Sequence, residues 1–336
     1  MLRVSVLGAT GYTGAELVKI LIRHPEVEIA CLTSESAAGK RYSEVYPAFL
    51  GLCDKYLISN DLEKVAQESD AAFLCLPHGA SMDAAAFLCS KGVTVFDLSA
   101  DYRLTDQTLY EKCYKIRHKH PDILKTAVYG LAEIFEDDIK NAGLTAVPGC
   151  YPTSVLIPLI PLLREKAIDP SFLIADCKSG VSGAGKKATE TTHFCEADED
   201  LKPYGIFSHR HKPEIDHIIK KTAGIESDII FTPHLTPLIR GMLSTIYTRS
   251  DKPLEELLNI WHKFYANSPF VRLRTDGTVP NIKYIANTPF IDIAIYKDKN
   301  NLIIVSALDN LMKGASSQAV QCFNMRMEFN VKMGVL

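Results

Sequence analysis

One cysteine, Cys150, stands in a setting that favours a reactive thiol. It lies in the segment Val147–Thr153 (VPGCYPT), directly after an apolar strand pattern and just before a predicted helix. Gly149 allows the backbone to bend there, and Pro152 suits the first position of a helix. A thiol at a helix N-terminus feels the positive end of the helix dipole, which lowers its pKa and favours the thiolate. Most of the nine cysteines are expected to be inert small hydrophobes, but this position predicts a nucleophile.

Two later segments could take part in a reaction at this thiol. Ser179–Lys187 is rich in glycine and ends in two lysines, so its amides and ammonium groups are able to bind an anion. His209 and His211 follow, and either imidazole could pair with a thiolate while Glu214 orients it. A histidine pair alone is more often part of a surface loop, and only the combination of these features favours a catalytic site.

A glycine turn near the N-terminus predicts a dinucleotide site. Gly8, Gly11 and Gly14 lie between an apolar strand, Leu2–Leu7, and a helical pattern that ends at His24. Gly8 permits a tight turn, Gly11 lets the backbone approach a pyrophosphate, and Gly14 lets the helix pack closely on the strand. The phosphates would then meet the amides at the positive end of the helix. The alternative is an ordinary tight strand-to-helix turn.

The residues after the second strand leave the choice of cofactor open. Glu35 favours NAD, because an acidic side chain at this position usually binds the ribose hydroxyls. Ser34, Ser36 and the basic pair Lys40 and Arg41 favour NADP, whose 2′-phosphate needs hydroxyls and cations.

The elements that must position these residues suggest an α/β protein with two domains. Strands alternate with helices up to about residue 150, which predicts a mostly parallel sheet covered on both faces. The strands predicted there are Leu2–Leu7, Val27–Thr33, Ala71–Leu76, Val93–Leu98 and Leu144–Val147. Later strands alternate more regularly, as in a sheet with one face packed on helices. They are predicted near Phe172–Cys177, Asp228–His234, Met242–Thr248 and Phe290–Lys297.

Two helices of the second half are also predicted. One covers Thr153–Arg164 and is expected to be short or kinked, because Pro158 and Pro161 fall inside it. The other lies within Asn310–Met327 and is expected to return to the first domain.

The composition excludes several classes of protein. The 336 residues are 47% hydrophobic, enough for a large core and two domains. With 37 basic and 40 acidic side chains, a net charge of −3 argues against a nucleic-acid-binding face. No apolar run is long enough to span a membrane, and no secretory cleavage site follows the N-terminus, so a cytoplasmic enzyme is expected. No cysteine pair has C-x-x-C spacing, and the acidic stretch Glu196–Asp200 is interpreted as a solvated loop rather than a metal site.

Several motifs of the chain match those of a known family. The chain resembles the N-acetyl-gamma-glutamyl-phosphate reductases, a family related to the aspartate-semialdehyde dehydrogenases. The matching segments, in family order, are Gly8–Leu17, Leu76–Gly79, Asp97–Leu104, Tyr129–Glu133, Gly149–Thr153, Ser179–Gly185, His209–His211, Phe231–Pro237 and Asp309–Ala315.

The resemblance implies a Rossmann-type, doubly wound parallel sheet formed by residues 1–149 and 310–336. It also implies an α+β catalytic and oligomerisation domain at 150–309. By position, Cys150 is the implied nucleophile, His211 the acid–base and Glu214 its orienter. The implied cofactor contacts are Gly8, Thr10, Gly11, Tyr12, Thr13, Gly14, Ser34, Ser36, Pro77, Gly183 and Asn310. The implied substrate contacts are Arg103, Ser182, Lys186 and His209.

The activity implied by the resemblance is reduction of an acyl phosphate, N-acetyl-gamma-glutamyl phosphate, to its semialdehyde through a Cys150 thioester. NADPH is the implied cofactor, with NAD as the alternative because Glu35 stands where members often carry a basic residue. Lys186 replaces a frequent arginine and would bind phosphate only as a point charge. A homodimer or homotetramer is expected. The rival interpretations are a reductase of aspartyl or carrier-bound aminoadipyl phosphate, and a nucleotide-sensing regulator without the chemistry.

Overall fold

The chain divides into two compact units. The computed structural model describes residues 1–336; one unit comprises Met1–Pro148 and Ala315–Leu336, and the other comprises Gly149–Gly314. The second boundary therefore falls after Gly314 rather than after Asp309. No helix combines the length and the apolar composition that a membrane span needs.

The first unit is built on a parallel sheet of seven strands. They are β1 (Leu2–Leu7), β2 (Val27–Thr33), β3 (Leu57–Ile58), β4 (Ala71–Leu74), β5 (Thr94–Asp97), β6 (Val128–Tyr129) and β7 (Leu144–Ala146). The order across the sheet is β3-β2-β1-β4-β5-β7-β6, and every neighbouring pair is parallel. The predicted doubly wound parallel sheet is confirmed. Its strand order reverses between β1 and β4, the place where such sheets bind ligands.

Helices connect these strands. They are α1 (Tyr12–Leu21), α2 (Tyr42–Val45), α3 (Leu62–Glu68), α4 (Ser81–Ser90), α5 (Gln107–Tyr114), α6 (Pro121–Thr126) and α7 (Glu136–Lys140), with a 3₁₀ turn at Pro47–Phe49. The apolar stripe predicted for α1 is buried, including Leu17, Val18 and Leu21. Two later helices begin at aspartate caps: the Asp61 side chain accepts from the third residue of α3, and that of Asp106 from the third residue of α5.

The second unit is a mixed sheet of seven strands with helices. Its helices are α8 (Cys150–Arg164), α9 (Phe194–Ala197), α10 (His211–Ala223), α11 (Leu254–Phe264) and α12 (Ile282–Ile285), with 3₁₀ turns at Val181–Ala184 and Glu190–Thr192. Its strands are β8 (Ile174–Gly180), β9 (Lys202–Pro203), β10 (Ile230–Thr236), β11 (Met242–Arg249), β12 (Val271–Leu273), β13 (Ile291–Asp298) and β14 (Asn301–Leu308). The order is β12-β13-β14-β11-β8-β10-β9.

Helix α8 is the buried support of this unit. It packs against α10, α11 and the strands β11 and β14, and its residues Tyr151–Leu163 are all buried. The helix predicted over Thr153–Arg164 begins at Cys150 instead and is 15 residues long, so of the two alternatives, short or kinked, the short helix is wrong. Pro152 accordingly lies at its third position, where a missing N–H still costs no intrahelical hydrogen bond.

Two hydroxyl donors explain why α8 tolerates its internal prolines. A proline leaves the carbonyl four residues earlier without its helical donor. The carbonyl freed by Pro158 is that of Ser154, and it accepts from Ser306 Oγ at 2.7 Å. The carbonyl freed by Pro161 is that of Ile157, and it accepts from the Tyr265 hydroxyl. Neighbouring elements thus replace both lost bonds, and the helix continues.

After β14 the chain returns to the first unit. A π-helical turn, Met312–Ser316, leads into α13 (Ser317–Arg326). Helix α13 packs against α1, α7 and β5. Its Phe323 ring lies 5.7 Å from that of Phe73 and 5.8 Å from that of Phe96, so it extends the core of the parallel sheet.

The hydroxyl donors to α8 yield a stability prediction. Tyr265→Phe leaves the Ile157 carbonyl buried without its donor, and we expect the free energy of unfolding to fall by about 1–3 kcal/mol. Ser306→Ala should act similarly on the Ser154 carbonyl. Urea unfolding followed by circular dichroism measures the change. Tyr284→Phe, at a tyrosine that is 69% exposed, is the matched control and should change stability by less than about 0.5 kcal/mol. Equal stability of Y265F and Y284F would contradict the role of the Tyr265 hydroxyl in α8.

Candidate active site

Cys150 is the first residue of α8 and is partly exposed. Gly149 caps the helix with φ −66° and ψ 152°, an extended conformation open to any residue. The left-handed freedom of glycine is therefore not what this position uses. Burial raises the pKa of the Cys75 and Cys177 thiols to about 12 and keeps both protonated. The first-turn amides of α8, including that of Tyr151, have no carbonyl partner within the helix and lie beside the thiol.

The carboxylate of Glu214 holds the start of α8. Glu214 lies in the first turn of α10 and is fully buried. Its Oε1 accepts a hydrogen bond of 2.9 Å from the amide of Gly149, the residue before Cys150. An ionised carboxylate makes a stronger hydrogen bond to an amide than a neutral acceptor does. Glu214 therefore fixes the backbone that carries the thiol, a contact that the sequence did not predict.

His209 and His211 lie together beside the residue that follows Cys150. Their ring centroids are 4.8 Å apart, and those rings lie 5.6 Å and 5.8 Å from the ring of Tyr151. Nδ1 of His209 accepts from the backbone amide of His211 at 3.1 Å, so a neutral His209 carries its hydrogen on Nε2. Burial lowers the pKa of His209 to about 4, with a smaller contribution from the charge of Arg210.

These contacts give His209 and His211 different chemical roles. At neutral pH His209 is an uncharged hydrogen-bond donor of fixed tautomer, because protonation of Nδ1 would break its bond to the His211 amide. A general acid–base must instead change protonation near the working pH. Of the pair, His211 is therefore the better candidate for proton transfer, an assignment that spacing alone left open.

The glycine-rich loop of the second unit is tied to the segment after β14. Asn310 Nδ2 donates to Ser182 Oγ at 2.9 Å, and its Oδ1 accepts from the Gly241 amide at 2.7 Å. A Cβ at Gly183 would lie 2.9 Å from Ser179 Oγ, which is tighter than real side chains allow. Asn310, Ser182 and Gly183 thus lie together although they are distant in sequence, and Lys186 follows on an exposed loop.

The glycine turn in the first unit has the geometry of a nucleotide cradle. Gly8 has φ +75°, and an added Cβ would meet the Cys75 carbonyl oxygen at 2.4 Å. A Cβ on Gly14 would lie 2.5 Å from the Gly8 carbonyl oxygen, so the helix packs directly on the turn. At Gly11 the nearest such contact is 3.6 Å, which leaves the backbone accessible from outside. Tyr12 and Thr13 open α1 immediately afterwards. These residues fit a dinucleotide pyrophosphate.

The ribose end of this cradle is lined by hydroxyl groups. Thr10 Oγ1 and Ser34 Oγ are 2.7 Å apart, and Ser34 Oγ lies 3.5 Å from Ser36 Oγ. The carboxylate of Glu35 accepts from the backbone amide of Asn60 at 2.8 Å. Glu35, the residue that favoured NAD in the sequence, is therefore engaged by the loop after β3.

Two further residues implied by the resemblance have different settings. Pro77 is exposed on the loop after β4. Arg103 is 6% exposed, and its Nε and Nη2 donate to the carbonyls of Val147 (2.8 Å) and Leu98 (3.0 Å). Part of the Arg103 guanidinium therefore joins the chain after β5 to the chain after β7.

Gly314 is a site residue that the sequence did not identify. A Cβ added there would lie 2.8 Å from Cys150 Cβ, so only glycine fits against the thiol-bearing residue. No local spacing links the two positions, because they meet only in the folded unit.

Two family models together match most of the chain. Residues 3–142 match the semialdehyde dehydrogenase NAD binding domain family, and residues 150–310 match the semialdehyde dehydrogenase dimerisation domain family. Among solved structures, the chain is similar to aspartate semialdehyde dehydrogenase II from Vibrio cholerae, with a TM-score of 0.75 at 17% identity over 98% of each chain. It is also similar to the Candida albicans aspartate semialdehyde dehydrogenase solved with NADP, with a TM-score of 0.73 at 16% identity over 98% of this chain and 99% of that one.

Curated relatives are closer in sequence. A protein of Halothermothrix orenii named N-acetyl-gamma-glutamyl-phosphate reductase is 44% identical over 98% of this chain and 96% of its own length. Proteins of the same name from Alkaliphilus metalliredigens and Geobacter metallireducens are each 45% identical over 100% of this chain and 98% of their own.

The setting of His209 gives a prediction that nuclear magnetic resonance can test. Because burial lowers its pKa to about 4, His209 should stay neutral, with hydrogen on Nε2, as the pH falls from 8 to 5. An ordinary histidine is mostly protonated at pH 5, since its pKa is about 6.5. A titration of ¹⁵N-labelled imidazoles measures the midpoint, and His209→Asn assigns the signal. A His209 midpoint above pH 6, or a hydrogen on Nδ1, would contradict the assignment.

Proposed function

The chain belongs to the N-acetyl-gamma-glutamyl-phosphate reductase family of semialdehyde dehydrogenases, and from this membership we propose its reaction. The enzyme reduces N-acetyl-gamma-glutamyl phosphate to N-acetylglutamate 5-semialdehyde and inorganic phosphate with NADPH, a step in arginine synthesis. The observation that carries the proposal is the position of Cys150 at the start of α8, with the preceding amide held by Glu214.

Cys150 acts first, as the nucleophile. Its thiolate attacks the γ-carbonyl carbon, and the bond from that carbon to the phosphate oxygen breaks, which leaves a thioester and releases phosphate. The position at the positive end of α8 favours the thiolate. First-turn amides of α8 are suited to stabilise the oxyanion, an effect of about 3 kcal/mol per donor in other enzymes.

The second half of the reaction returns the thiolate. When bound, the reduced nicotinamide supplies a hydride to the thioester carbon. Cys150 then leaves that carbon as a thiolate, a departure for which sulfur is well suited because its thiolate is stable near neutral pH. His211 donates a proton to the oxygen of the tetrahedral thiohemiacetal and takes it back as the bond from carbon to Cys150 sulfur breaks, so that the aldehyde is released. The neutral Nε2–H of His209 contacts the substrate.

Several further side chains are proposed to contact the substrate or the cofactor. Ser182 and Lys186 on the glycine-rich loop are proposed to contact the acyl phosphate, with Asn310 holding Ser182 in place. Arg103 is proposed as a further substrate contact. Gly183 and Asn310 are proposed to contact the cofactor.

NADP is the proposed cofactor. The hydroxyls of Thr10, Ser34 and Ser36 are close together at the end of β2, as a 2′-phosphate site needs. Glu35 would repel a 2′-phosphate if it faced the ribose, but its carboxylate accepts from the Asn60 amide. Lys40 is exposed nearby in sequence and adds positive charge.

A homo-oligomer is supported by the second sheet. Aligned residues of five adjacent strands form an apolar row: Ile230, Ile174, Tyr247, Ile303 and Tyr296. Four of them are between 37% and 45% exposed. A continuous apolar row on an open sheet face is typical of a protein interface. We propose that this face joins two copies in a homodimer, alone or within a homotetramer.

The thiols support a cytoplasmic location. None of the nine cysteines forms a disulfide, and the proposed reaction requires a reduced thiolate at Cys150. A reducing compartment meets both conditions.

The proposed nucleophile can be tested by substitution. Cys150→Ala should lower turnover by about 10⁴-fold or more, since no other group can form the thioester, while NADPH binding is retained. Cys150→Ser should be similarly inactive. The assay follows NADPH formed from N-acetylglutamate semialdehyde, phosphate and NADP⁺, with aspartate semialdehyde as the competing substrate. Cys195→Ala, at an exposed cysteine, is the matched control and should keep full activity. Substantial turnover by C150A, or preference for aspartate semialdehyde, would refute the proposal.

The cofactor assignment gives a second prediction. Ser36→Ala should raise KM for NADPH by about tenfold, because a hydrogen bond to a charged phosphate is lost, and leave KM for NADH unchanged. Ser59→Ala, at an exposed serine after β3, is the control. An equal effect of S36A on both cofactors, or a wild-type preference for NADH, would contradict the 2′-phosphate site.

A further inference from the structure

The loop after β4 lies against the nucleotide turn. Strands β1 and β4 are neighbours in the sheet, and the Cys75 amide extends their pairing by donating to the Leu7 carbonyl at 2.8 Å. A Cβ added to Gly8 would lie 2.4 Å from the Cys75 carbonyl oxygen, so the backbone of this loop packs closely against the turn. The residues that follow, Leu76–Ala80, therefore leave the sheet where its strand order reverses, beside the glycine turn.

This loop and the loop after β5 are joined by two reciprocal hydrogen bonds. The Gly79 amide donates to both carboxylate oxygens of Asp101, at 2.9 and 2.8 Å. In return, the Ala100 amide donates to Nδ1 of His78 at 3.1 Å. Each loop thus gives a backbone N–H to a side chain of the other. We call this pair of contacts the clasp.

Asp101 is itself rigidly held. It is fully buried, and its Oδ1 also accepts from the Tyr110 hydroxyl at 2.9 Å. Its backbone carbonyl accepts from Nε2 of His118 at 3.0 Å, because Nδ1 of that ring already accepts from the His120 amide. The rings of Tyr110 and His118 are 5.1 Å apart. One half of the clasp therefore rests on a packed aromatic cluster.

The other half lies on an exposed loop. Pro77 and His78 are exposed, the His78 ring lies 5.7 Å from that of Tyr114, and Gly79 has φ +84°, a conformation open to glycine. An exposed loop depends largely on its hydrogen bonds to keep one conformation. The clasp supplies two of them from the buried side.

We propose that Asp101 and His78 are positioning residues for the nicotinamide dinucleotide, because their clasp holds Leu76–Gly79 in place beside the glycine turn as one wall of its site. The inference rests on the proposed function in that it assumes such a dinucleotide binds there. The clasp lowers the ordering that the loop would otherwise undergo on binding, and such preorganisation raises affinity. The clasp takes no part in the reaction at Cys150.

Three variants test the clasp by direct titration of NADPH. Asp101→Asn keeps the size of the side chain but replaces one acceptor oxygen with a donor, and we expect Kd for NADPH to rise about tenfold. His78→Ala removes the other bond and should have a similar effect. In His78→Asn the amide oxygen can replace Nδ1 as acceptor, so most of the affinity should return. Asp138→Asn, at an exposed aspartate on α7, is the matched control and should leave Kd unchanged.

Steady-state kinetics separates positioning from a general loss of structure. In D101N and H78A, KM for NADPH should rise, while kcat at saturating NADPH and KM for the acyl phosphate stay within about twofold of wild type. Wild-type affinity in either variant would overturn the proposal. A loss in H78A that H78N does not recover would also overturn it. If D101N does not fold, the H78A and H78N pair decides, since His78 is exposed. Failure of the wild-type protein to bind NADPH would instead refute the proposed function.

Discussion

The hydrogen bond between the buried carboxylate of Glu214 and the amide of Gly149 fixes the backbone from which Cys150 projects. Burying a carboxylate costs several kcal/mol unless hydrogen bonds compensate for the lost water. Its position is therefore strongly constrained, and so is the amide that it binds. Since Glu214 lies in the first turn of α10, which begins at His211, the same turn carries the proposed acid–base and anchors the proposed nucleophile.

Helix α8 also constrains the position of Cys150, which is its first residue. A nucleophile at the first position of a helix keeps its place only if the helix behind it stays intact. Pro158 and Pro161 each remove one helical hydrogen bond, but Ser306 and Tyr265 donate to the two carbonyls that they free. The prolines then become an advantage, because they restrict the backbone of the unfolded chain while the folded helix stays hydrogen-bonded.

Sequence patterns predicted the features that depend on chain neighbours. Gly8 and Gly14 are recognisable because their constraint, a turn between one strand and one helix, lies within a few residues. The partners of α8 and the Glu214 contact were not predictable in this way. A hydroxyl on β14 and another just after α11 become donors to α8 only through tertiary packing, which no local periodicity encodes. The prediction of a short α8 failed for the same reason, because the rule against internal prolines considers only the helix itself.

Cofactor choice shows the same dependence on long-range contacts. An acidic residue after β2, such as Glu35, favours NAD. In the structure, however, the Glu35 carboxylate accepts from the Asn60 amide and is directed to a neighbouring loop. An acidic residue selects NAD only when its carboxylate is available to the ribose hydroxyls. The same loop region also holds the end of β2. Thr33, the last residue of β2, accepts from the Gly8 amide and donates to the Asn60 side chain. Asn60 therefore connects the nucleotide turn to the specificity residues, and the residue type at position 35 alone does not decide the cofactor.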